Sequence, residues 1–270
     1  MKQSQRLLVF IAVSSSLFCF LIELRNIFLF RGTPQWSGEK TTLVMMAYSA
    51  QRAGNWNRII SSYCHMPDVF EKILFIWQNP TQDPPVFTEC LLPLKVIKTT
   101  ANSMNNRYRY YAEVSTRTTF SVDDDVLVPK NLIYDMIQMS ASTDLVGLDA
   151  RSFSSDGSYS FWGFMYPNKL VLPKTWILPV QYWKTYVNDQ VLQNFIDRGN
   201  ACEDLAMNFI VRVATRKEPR VVTAGLFEQD RLELNEQGGL SIVGDRWKWA
   251  EKRSACIKWL LAHFPDAKVL

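Results

Sequence analysis

The sequence contains no permitted Asn-x-Ser/Thr acceptor site, because Asn79 is followed by Pro80, so N-glycosylation is not expected. It also contains no run of basic residues. The 30 Lys and Arg against 26 Asp and Glu give a net charge of +4, too small and too dispersed for a nucleic-acid-binding protein. Repeats, low-complexity tracts and a second domain boundary are absent as well. With 47% hydrophobic and 13% aromatic residues, the 270-residue chain is predicted to form one large folded domain.

The first thirty residues differ from the rest. Lys2 and Arg6 precede Leu7 to Ile22, sixteen residues without a charge, which as a helix would span about 24 Å. A signal anchor, a cleaved signal peptide and a buried helix are the alternatives. The long apolar run, the lack of a clear small-x-small cleavage site and the positive N-terminal side favour a short signal anchor. The predicted division is a cytosolic tail (1–6), a transmembrane anchor (7–30), a lumenal stem (31–40) and a lumenal domain (41–270).

A lumenal location gives the cysteines a meaning, because disulfides form in oxidising compartments. Cys19 lies in the predicted anchor. The four other cysteines allow three pairings, and their spacing does not choose between them. They are Cys64, Cys90, Cys202 and Cys256.

The first half of the domain is predicted to alternate strands with helices. Apolar, β-prone runs predict strands at 41–48, 73–77, 94–97, 118–122 and 144–148. Helical spacing of apolar residues predicts helices at 55–63, 102–114 and 132–137. Such alternation is typical of a parallel, nucleotide-binding α/β unit.

The second half is predicted to combine antiparallel strands with helices. Aromatic-rich segments at 159–166 and 169–172 favour antiparallel strands, and 220–224 favours a late strand. Helices are predicted at 176–186, 191–196 and 202–213, the last with Leu205 and Phe209 on one face. The tail from Gly238 is aromatic and basic.

Three consecutive aspartates, Asp123, Asp124 and Asp125, lie between two apolar runs. Carboxylates packed this closely repel one another, and the apolar flanks draw them out of water, so a cation is expected to neutralise them. At the carboxyl end of a parallel strand, the cluster would form a site for a metal and a diphosphate. The alternative is a polar turn in which one Asp caps the helix that begins near Pro129.

Three further motifs accompany the aspartates: Asn-Ser-Met-Asn-Asn-Arg at 102–107, Ala-Cys-Glu-Asp-Leu-Ala-Met-Asn-Phe at 201–209, and Lys-Arg-Ser-Ala-Cys at 252–256. In this order and spacing the motifs resemble those of the exostosin-like glycosyltransferases, glycosyltransferase family 64, over roughly Thr41 to Trp259. The resemblance implies an α/β domain of GT-A fold, with a Rossmann-like nucleotide-binding half and a mixed-sheet acceptor half. It also implies a DXD-type aspartate cluster that holds Mn²⁺, or Mg²⁺ in its place, on a nucleotide-sugar diphosphate.

Matched position by position, the resemblance implies a role for each donor-binding residue. Asp125 would be the direct metal ligand, and Asp123 and Asp124 would bind the sugar and ribose side of the donor. The nucleotide-contacting positions would be Arg52, Asn79, Asn102, Asn106 and Arg107.

The resemblance also implies the catalytic groups. Asp204, with Glu203 beside it, would lie near the anomeric carbon, and Arg253 would bind the leaving diphosphate from the opposite side of the sugar-phosphate. These charges suit the reaction, because positive charge develops at the anomeric carbon and negative charge on the leaving group. Cys202 and Cys256 would form a disulfide that joins the two segments.

Each catalytic residue also has a structural interpretation. Glu203 and Asp204 could be first-turn acids favoured by the helix dipole. Arg253, among several lysines, could be a solvated surface charge. Cys202 and Cys256 could be free thiols.

The expected function is that of a retaining glycosyltransferase. The protein would be a single-pass type II protein of the Golgi or ER membrane, and a homodimer is compatible with this arrangement. The resemblance suggests UDP-GlcNAc or a related UDP-hexosamine as donor, and a heparan-type glycan or a glycosyl inositol phosphorylceramide as acceptor. The chain departs from the family pattern at Ala201, Glu203 and Trp249, where a polar residue, Asp and His are usual, and the segment 159–186 matches poorly. These departures leave the donor sugar and the acceptor open.

Two other functions compete with this one. An inactive transferase-like domain that binds sugars or partners would accommodate the departures at Glu203 and Trp249. An Asp-nucleophile phosphatase also places an Asp-x-Asp pair after a strand, but normally after the first strand, with Thr or Val where Leu127 stands here.

Overall fold

The computed structural model describes residues 38–140, 144–222, 232–233 and 246–268. The predicted cytosolic tail, the anchor and most of the stem lie outside these residues. Among the helices within the described ranges, none is long and apolar enough to cross a membrane.

Twelve strands occur in the described ranges. They are β1 (Thr41–Ala47), β2 (Phe70–Trp77), β3 (Leu94–Lys98), β4 (Thr118–Asp123), β5 (Val126–Leu127), β6 (Val146–Gly147), β7 (Ala150–Phe153), β8 (Tyr159–Ser160), β9 (Asn168–Val171), β10 (Thr175–Pro179), β11 (Arg220–Val221) and β12 (Leu232–Glu233).

Seven α-helices occur in the same ranges, together with short 3₁₀ turns. The helices are α1 (Ala53–Cys64), α2 (Asn106–Arg109), α3 (Lys130–Met139), α4 (Gln181–Asn188), α5 (Gln190–Asp197), α6 (Glu203–Thr215) and α7 (Arg246–His263).

A seven-stranded sheet in the order β11-β6-β10-β4-β1-β2-β3 forms the centre of the domain. Strands β1 to β4 run parallel, β10 is antiparallel to both of its neighbours, and β11 is parallel to β6. A three-stranded antiparallel sheet (β8-β7-β9) and a two-stranded one (β12-β5) complete the fold. The domain is therefore mixed α/β with a sheet rich in parallel pairs.

The central strands are buried on both faces, which explains their continuous apolar sequences. On one face Trp56 and Tyr63 of α1 pack edge-on against Phe75 and Phe70 of β2. On the other face, alternate residues of β2 and β10 join the largest apolar cluster with side chains of α4, α6 and α7. The two-residue alternation within each strand thus supplies both halves of the core.

The parallel strands bring four chain segments to one edge of the sheet. The carboxyl ends of β1, β2, β3 and β4 all lie there, because these strands run in the same direction. The segments that follow them carry Arg52, Asn79, the stretch 102–107 and the aspartates. The strand order therefore groups residues that are far apart in the sequence.

Three predicted elements were wrong in extent or type. The helix predicted at 102–114 is reduced to the single turn of α2, followed by a 3₁₀ turn at Tyr111–Glu113. The helix predicted at 176–186 begins only at Gln181, because the apolar run before it forms the buried strand β10 between β4 and β6. The strand predicted at 159–166 ends at Ser160, since Gly163 lies in a tight turn against Ala150.

Two disulfides tie helices to distant segments. Cys202 and Cys256 are bonded with a Cα–Cα distance of 6.5 Å, which confirms the pairing implied by the family resemblance. Cys64 and Cys90, whose pairing the spacing left open, form the second bond. The first bond joins the start of α6 to the middle of α7.

We predict that removing the Cys202–Cys256 bond destabilises the domain more than removing Cys64–Cys90. The sequence separations of 54 and 26 residues correspond to roughly 4 and 3.5 kcal/mol in the loop-entropy model, so a difference of about 0.5 kcal/mol is expected. Urea denaturation of the two double Cys→Ser variants measures both effects. A larger loss for the Cys64–Cys90 variant would contradict the prediction.

Candidate active site

The aspartate cluster lies at the carboxyl edge of the sheet. Asp123 ends β4, and Asp124 and Asp125 form the turn that follows it. A guanidinium nitrogen of Arg52 lies 2.6 Å from Asp124 Oδ1 and 3.6 Å from Asp125 Oδ2. The helix α3 has Pro129 at its N-cap and no side-chain cap, so the interpretation of an aspartate as its cap was wrong.

The cluster has the chemistry of a partial metal site. Asp125 Oδ1 is buried without a hydrogen-bond partner, which leaves a carboxylate oxygen available to a cation. Burial raises the pKa of Asp124 to about 6, with Arg52 opposing the shift and the neighbouring aspartates adding to it. No group of three or more His, Cys, Asp or Glu within the described ranges could hold an ion alone. Such a site would fit a cation that takes its other ligands from a diphosphate.

Arg107 connects the aspartates to helix α6. Its buried guanidinium lies 3.6 Å from Asp123 and 3.6 Å from Glu203. Burial opposes its charge, but Asp123 and Glu203 outweigh that effect and raise the pKa of Arg107. Its Nε and Nη1 atoms are buried without hydrogen-bond partners. The guanidinium thus neutralises part of the charge of both carboxylates and forms a close ion pair with neither.

Asp204 and Arg253 form a buried bidentate ion pair. The two guanidinium nitrogens of Arg253 donate to Asp204 Oδ1 and Oδ2 at 2.7 and 2.5 Å. Burial opposes the charge of Arg253, yet the pairing with Asp204 raises its pKa. The interpretation of Arg253 as a solvated surface charge was therefore wrong. The two groups contact each other directly, whereas the family resemblance placed them on opposite sides of a donor.

Glu203 and Asp204 do lie in the first turn of a helix, as their structural interpretation predicted. Glu203 and Asp204 begin α6, and Asp204 Oδ1 accepts a hydrogen bond from the Leu205 amide. Both side chains are nevertheless buried, Glu203 at 3% exposure and Asp204 at 5%. Buried acids with arginine partners do more than cap a helix.

Two aromatic rings border the guanidinium of Arg253. Its central carbon lies 5.4 Å from the ring centroid of Tyr159 and 5.7 Å from that of Trp249. The Tyr159 amide also donates to Ser254 Oγ, which fixes β8 to α7. Trp249 is the residue that replaces the usual His of the family pattern. No sequence signal pointed to Tyr159, which comes from a distant strand.

The predicted nucleotide-contacting asparagines have different surroundings. Asn79 Oδ1 accepts from Thr81 and Gln82 in the loop after β2. Asn106 Nδ2 donates to Gln78 Oε1 at 2.6 Å, so the buried Gln78, which sequence reasoning missed, holds α2 against the end of β2. Asn102 is exposed. The structure thus places all three near the carboxyl edge, with Asn79 and Asn106 engaged in local bonds.

The site carries more negative than positive charge. With every group ionised, its five carboxylates and three guanidiniums leave a net charge of −2. The carboxylates are Asp123, Asp124, Asp125, Glu203 and Asp204, and the guanidiniums are Arg52, Arg107 and Arg253. A divalent cation would balance this excess.

Comparison with known proteins identifies the family. The family model "Glycosyl transferase family 64 domain" matches residues 41–268. Exostosin-2 of Homo sapiens is 28% identical over 197 residues, which are 67% of this chain and 27% of that protein. Exostosin-like 2 of Homo sapiens is 27% identical over 243 residues, 82% of this chain and 71% of that protein. The chain therefore spans about a quarter of exostosin-2 and most of exostosin-like 2.

A plant protein is similar over a comparable length. Glucosamine inositolphosphorylceramide transferase 1 of Arabidopsis thaliana is 26% identical over 234 residues, 80% of this chain and 29% of that protein. Among solved structures, the glycosyltransferase GlyE of Streptococcus pneumoniae aligns over 84% of this chain and 64% of that chain. Its TM-score is 0.45 and its identity 12%, a likeness too low to establish a shared fold.

We predict that Glu203 makes the stability of the domain depend on pH. Burial and the neighbouring Asp204 raise the pKa of Glu203 to about 7, from a usual value of 4.5 that the unfolded chain keeps. Between these values the folded chain holds a proton that the unfolded chain lacks, so stability falls as the pH rises from 5 to 8.

Glu203→Gln should flatten this part of the profile by on the order of 1–3 kcal/mol. Urea denaturation of both proteins at several pH values measures the difference, in which the contributions of groups that do not contact Glu203 cancel. Parallel profiles for the two proteins would contradict the prediction.

Proposed function

The chain belongs to glycosyl transferase family 64, and we propose that it is a retaining, metal-dependent glycosyltransferase of GT-A fold. One observation carries the proposal beyond the family. A continuous series of charges, from Asp125 through Arg107 to Arg253, lies at the carboxyl edge of a parallel-rich sheet. Such an edge is where α/β domains bind nucleotides.

The aspartate cluster is the proposed donor-diphosphate end of the site. Asp125, with its unpartnered oxygen, would hold Mn²⁺ or Mg²⁺. Bound there, the ion would neutralise charge on the diphosphate and improve it as a leaving group. Arg52 already faces Asp124 and Asp125, so it can neutralise the cluster when no ligand is bound and contact the donor when one is.

The Asp204–Arg253 pair is the proposed catalytic end. In the ligand-free geometry each group neutralises the other. A donor diphosphate carries more negative charge than Asp204 and would compete for the guanidinium of Arg253. As Arg253 turns to the diphosphate, Asp204 loses its counter-ion and can stabilise the positive charge that develops at the anomeric carbon. The rings of Tyr159 and Trp249 border the guanidinium in its ligand-free position.

The names of relatives support a proposal for the substrates. Two Arabidopsis thaliana relatives are named for glucosamine and mannosyl transfer involving inositol phosphorylceramides. For this chain we propose a UDP-hexosamine as the donor, with GlcNAc as the sugar, and a glycan or glycolipid as the acceptor. The signal anchor at 7–30 and a lumenal domain in the Golgi or ER belong to the same proposal.

The competing phosphatase function fits less well. An Asp-nucleophile phosphatase would place its aspartates after the first strand of the domain, but here they follow β4. Slow hydrolysis of a UDP-sugar by the purified protein in the presence of Mn²⁺, without acceptor, separates an active enzyme from an inactive domain.

We predict that Asp125→Asn removes the metal dependence of UDP binding while the domain stays folded. Loss of the metal ligand should weaken UDP binding in Mn²⁺ by roughly tenfold or more, because even indirect changes around a metal have that effect. Calorimetric titration with and without Mn²⁺ measures it. The exposed Asp83 offers the control variant Asp83→Asn, and an unchanged, Mn²⁺-dependent affinity in the Asp125 variant would refute the assignment.

We predict that Asp204→Asn lowers the rate of sugar transfer without weakening UDP binding. The change releases Arg253, so UDP affinity should persist or rise, while the transfer rate should fall about 10³-fold. Arg253→Ala should weaken both. Asp197→Asn, which breaks a half-exposed pair with Arg109, is the control. Equal losses of UDP affinity in the Asp204 and Arg253 variants would contradict the exchange of partners.

A further inference from the structure

A short loop between β8 and β9 exposes three large apolar side chains. Trp162 is 61% exposed, Phe164 77% and Met165 53%. The rings of Trp162 and Phe164 lie 5.9 Å apart, so they form one patch. Contiguous exposed apolar groups usually mark a surface that meets a partner. We call Trp162, Phe164 and Met165 the aromatic loop.

The backbone of the aromatic loop is held firmly. The carbonyl of Trp162 accepts from Ser152 Oγ at 2.6 Å, and its amide donates to Ser160 Oγ at 3.0 Å. The carbonyl of Gly163 accepts from Lys169 Nζ at 2.5 Å. A Cβ at Gly163 would come within 2.5 Å of Ala150 Cβ, so only glycine allows this close approach. The exposure of the side chains is therefore fixed by the fold.

The polar groups around the aromatic loop already have partners inside it. Ser152, Ser160 and Lys169 all bond to the loop backbone. The outward groups of Phe164 and Met165 form no strong hydrogen bonds. Apart from the indole N–H of Trp162, the surface offered by the loop is apolar, so it suits an apolar partner.

The aromatic loop lies close to the proposed catalytic pair. Tyr159, whose ring borders Arg253, precedes Trp162 by three residues, so their Cα atoms lie within about 11 Å. The adjoining helix α7 exposes Lys248, Lys252 and Lys258 against one exposed acid, Glu251. Lys258 lies against Gly157, two residues before Tyr159, so a partner on this side would meet the apolar rings, this lysine and the catalytic pair together.

We propose that the aromatic loop inserts into the interface of a lipid bilayer and brings the headgroups of anionic lipids to the catalytic side of the domain. Trp and Phe beside lysines are the combination that binds such interfaces. The proposed signal anchor at 7–30 would hold the domain at a membrane as well. Insertion of the loop concerns this surface alone, whereas delivery of headgroups to the catalytic pair rests on the proposed function.

A site-specific probe in the full chain tests the proposal, because the apolar N-terminal run could bind vesicles by itself. Cys19→Ser leaves only the four disulfide-bonded cysteines. Phe164→Cys is then added in one protein and Val191→Cys in a matched control. Val191 is 61% exposed on α5, which lies near the C-terminal end of α7, where His263 contacts Asp189. Both cysteines are labelled with the same environment-sensitive dye.

The labelled proteins are reconstituted in phosphatidylcholine vesicles with and without phosphatidylinositol, and nitroxide-labelled lipid is added as quencher. The expected result is at least threefold stronger quenching at position 164 than at 191, and stronger still with phosphatidylinositol. Equal or weaker quenching at 164 would overturn the proposal. A signal that changes with protein concentration in the absence of vesicles at 164 but not at 191 would also overturn it, since the loop would then bind a second copy.

Discussion

The buried charge of Arg107 is the interaction on which the rest of the site depends. It lies between Asp123 at the end of β4 and Glu203 at the start of α6, at the same distance of 3.6 Å from each. Without it, the buried Glu203 would lose its nearest cation and keep only the weaker interaction with Arg253, and the half-exposed Asp123 would keep only that with Lys174. Arg107 thereby couples the sheet edge that carries the aspartates to the helix that carries Asp204. Because the guanidinium lies between two carboxylates, its Nε and Nη1 atoms have no hydrogen-bond partners.

The fold delivers the other charges by different means. Parallel strands place Arg52 and the aspartates at one edge, because the loops after β1 and β4 meet there. A disulfide and helix α7 bring Arg253 from the far end of the sequence to Asp204. With every group ionised, the assembled site has an excess of two negative charges; burial, with the neighbouring carboxylates adding to it, raises the pKa values of Asp124 and Glu203. In the proposed function, a cation that arrives with the donor would balance this excess.

Much of the fold and of the candidate site could be predicted from the sequence, wherever neighbouring residues alone determine the feature. The strands β1, β2 and β4 are continuous apolar runs, and three adjacent aspartates after such a run are unusual. The motif resemblance supplied the Cys202–Cys256 bond and the residues Asp204 and Arg253. Position along the chain could not show that these two groups pair, because that depends on how α7 packs against α6.

The wrong and missed sequence predictions have a common physical cause: the burial of these segments depends on partners that are distant in the sequence. The apolar run of β10 reads equally well as a helix until β4 and β6 are placed on either side of it. Tyr159 has no sequence signal, since its role arises only when β8 packs on α7 beside Arg253. The helix α7 itself has no clear amphipathic pattern, and its aromatic and basic residues gave no prediction of an element.

The central claim is that Arg253 exchanges Asp204 for the donor diphosphate, and a crystal structure of the complex with UDP and Mn²⁺ tests it most directly. The account predicts that the guanidinium of Arg253 leaves Asp204, from its present distance of 2.5 Å, and bonds to the diphosphate. It further predicts that the Asp204 carboxylate then faces the space of the donor sugar. A complex in which UDP is bound at the aspartates while the Asp204–Arg253 pair stays intact would contradict the account.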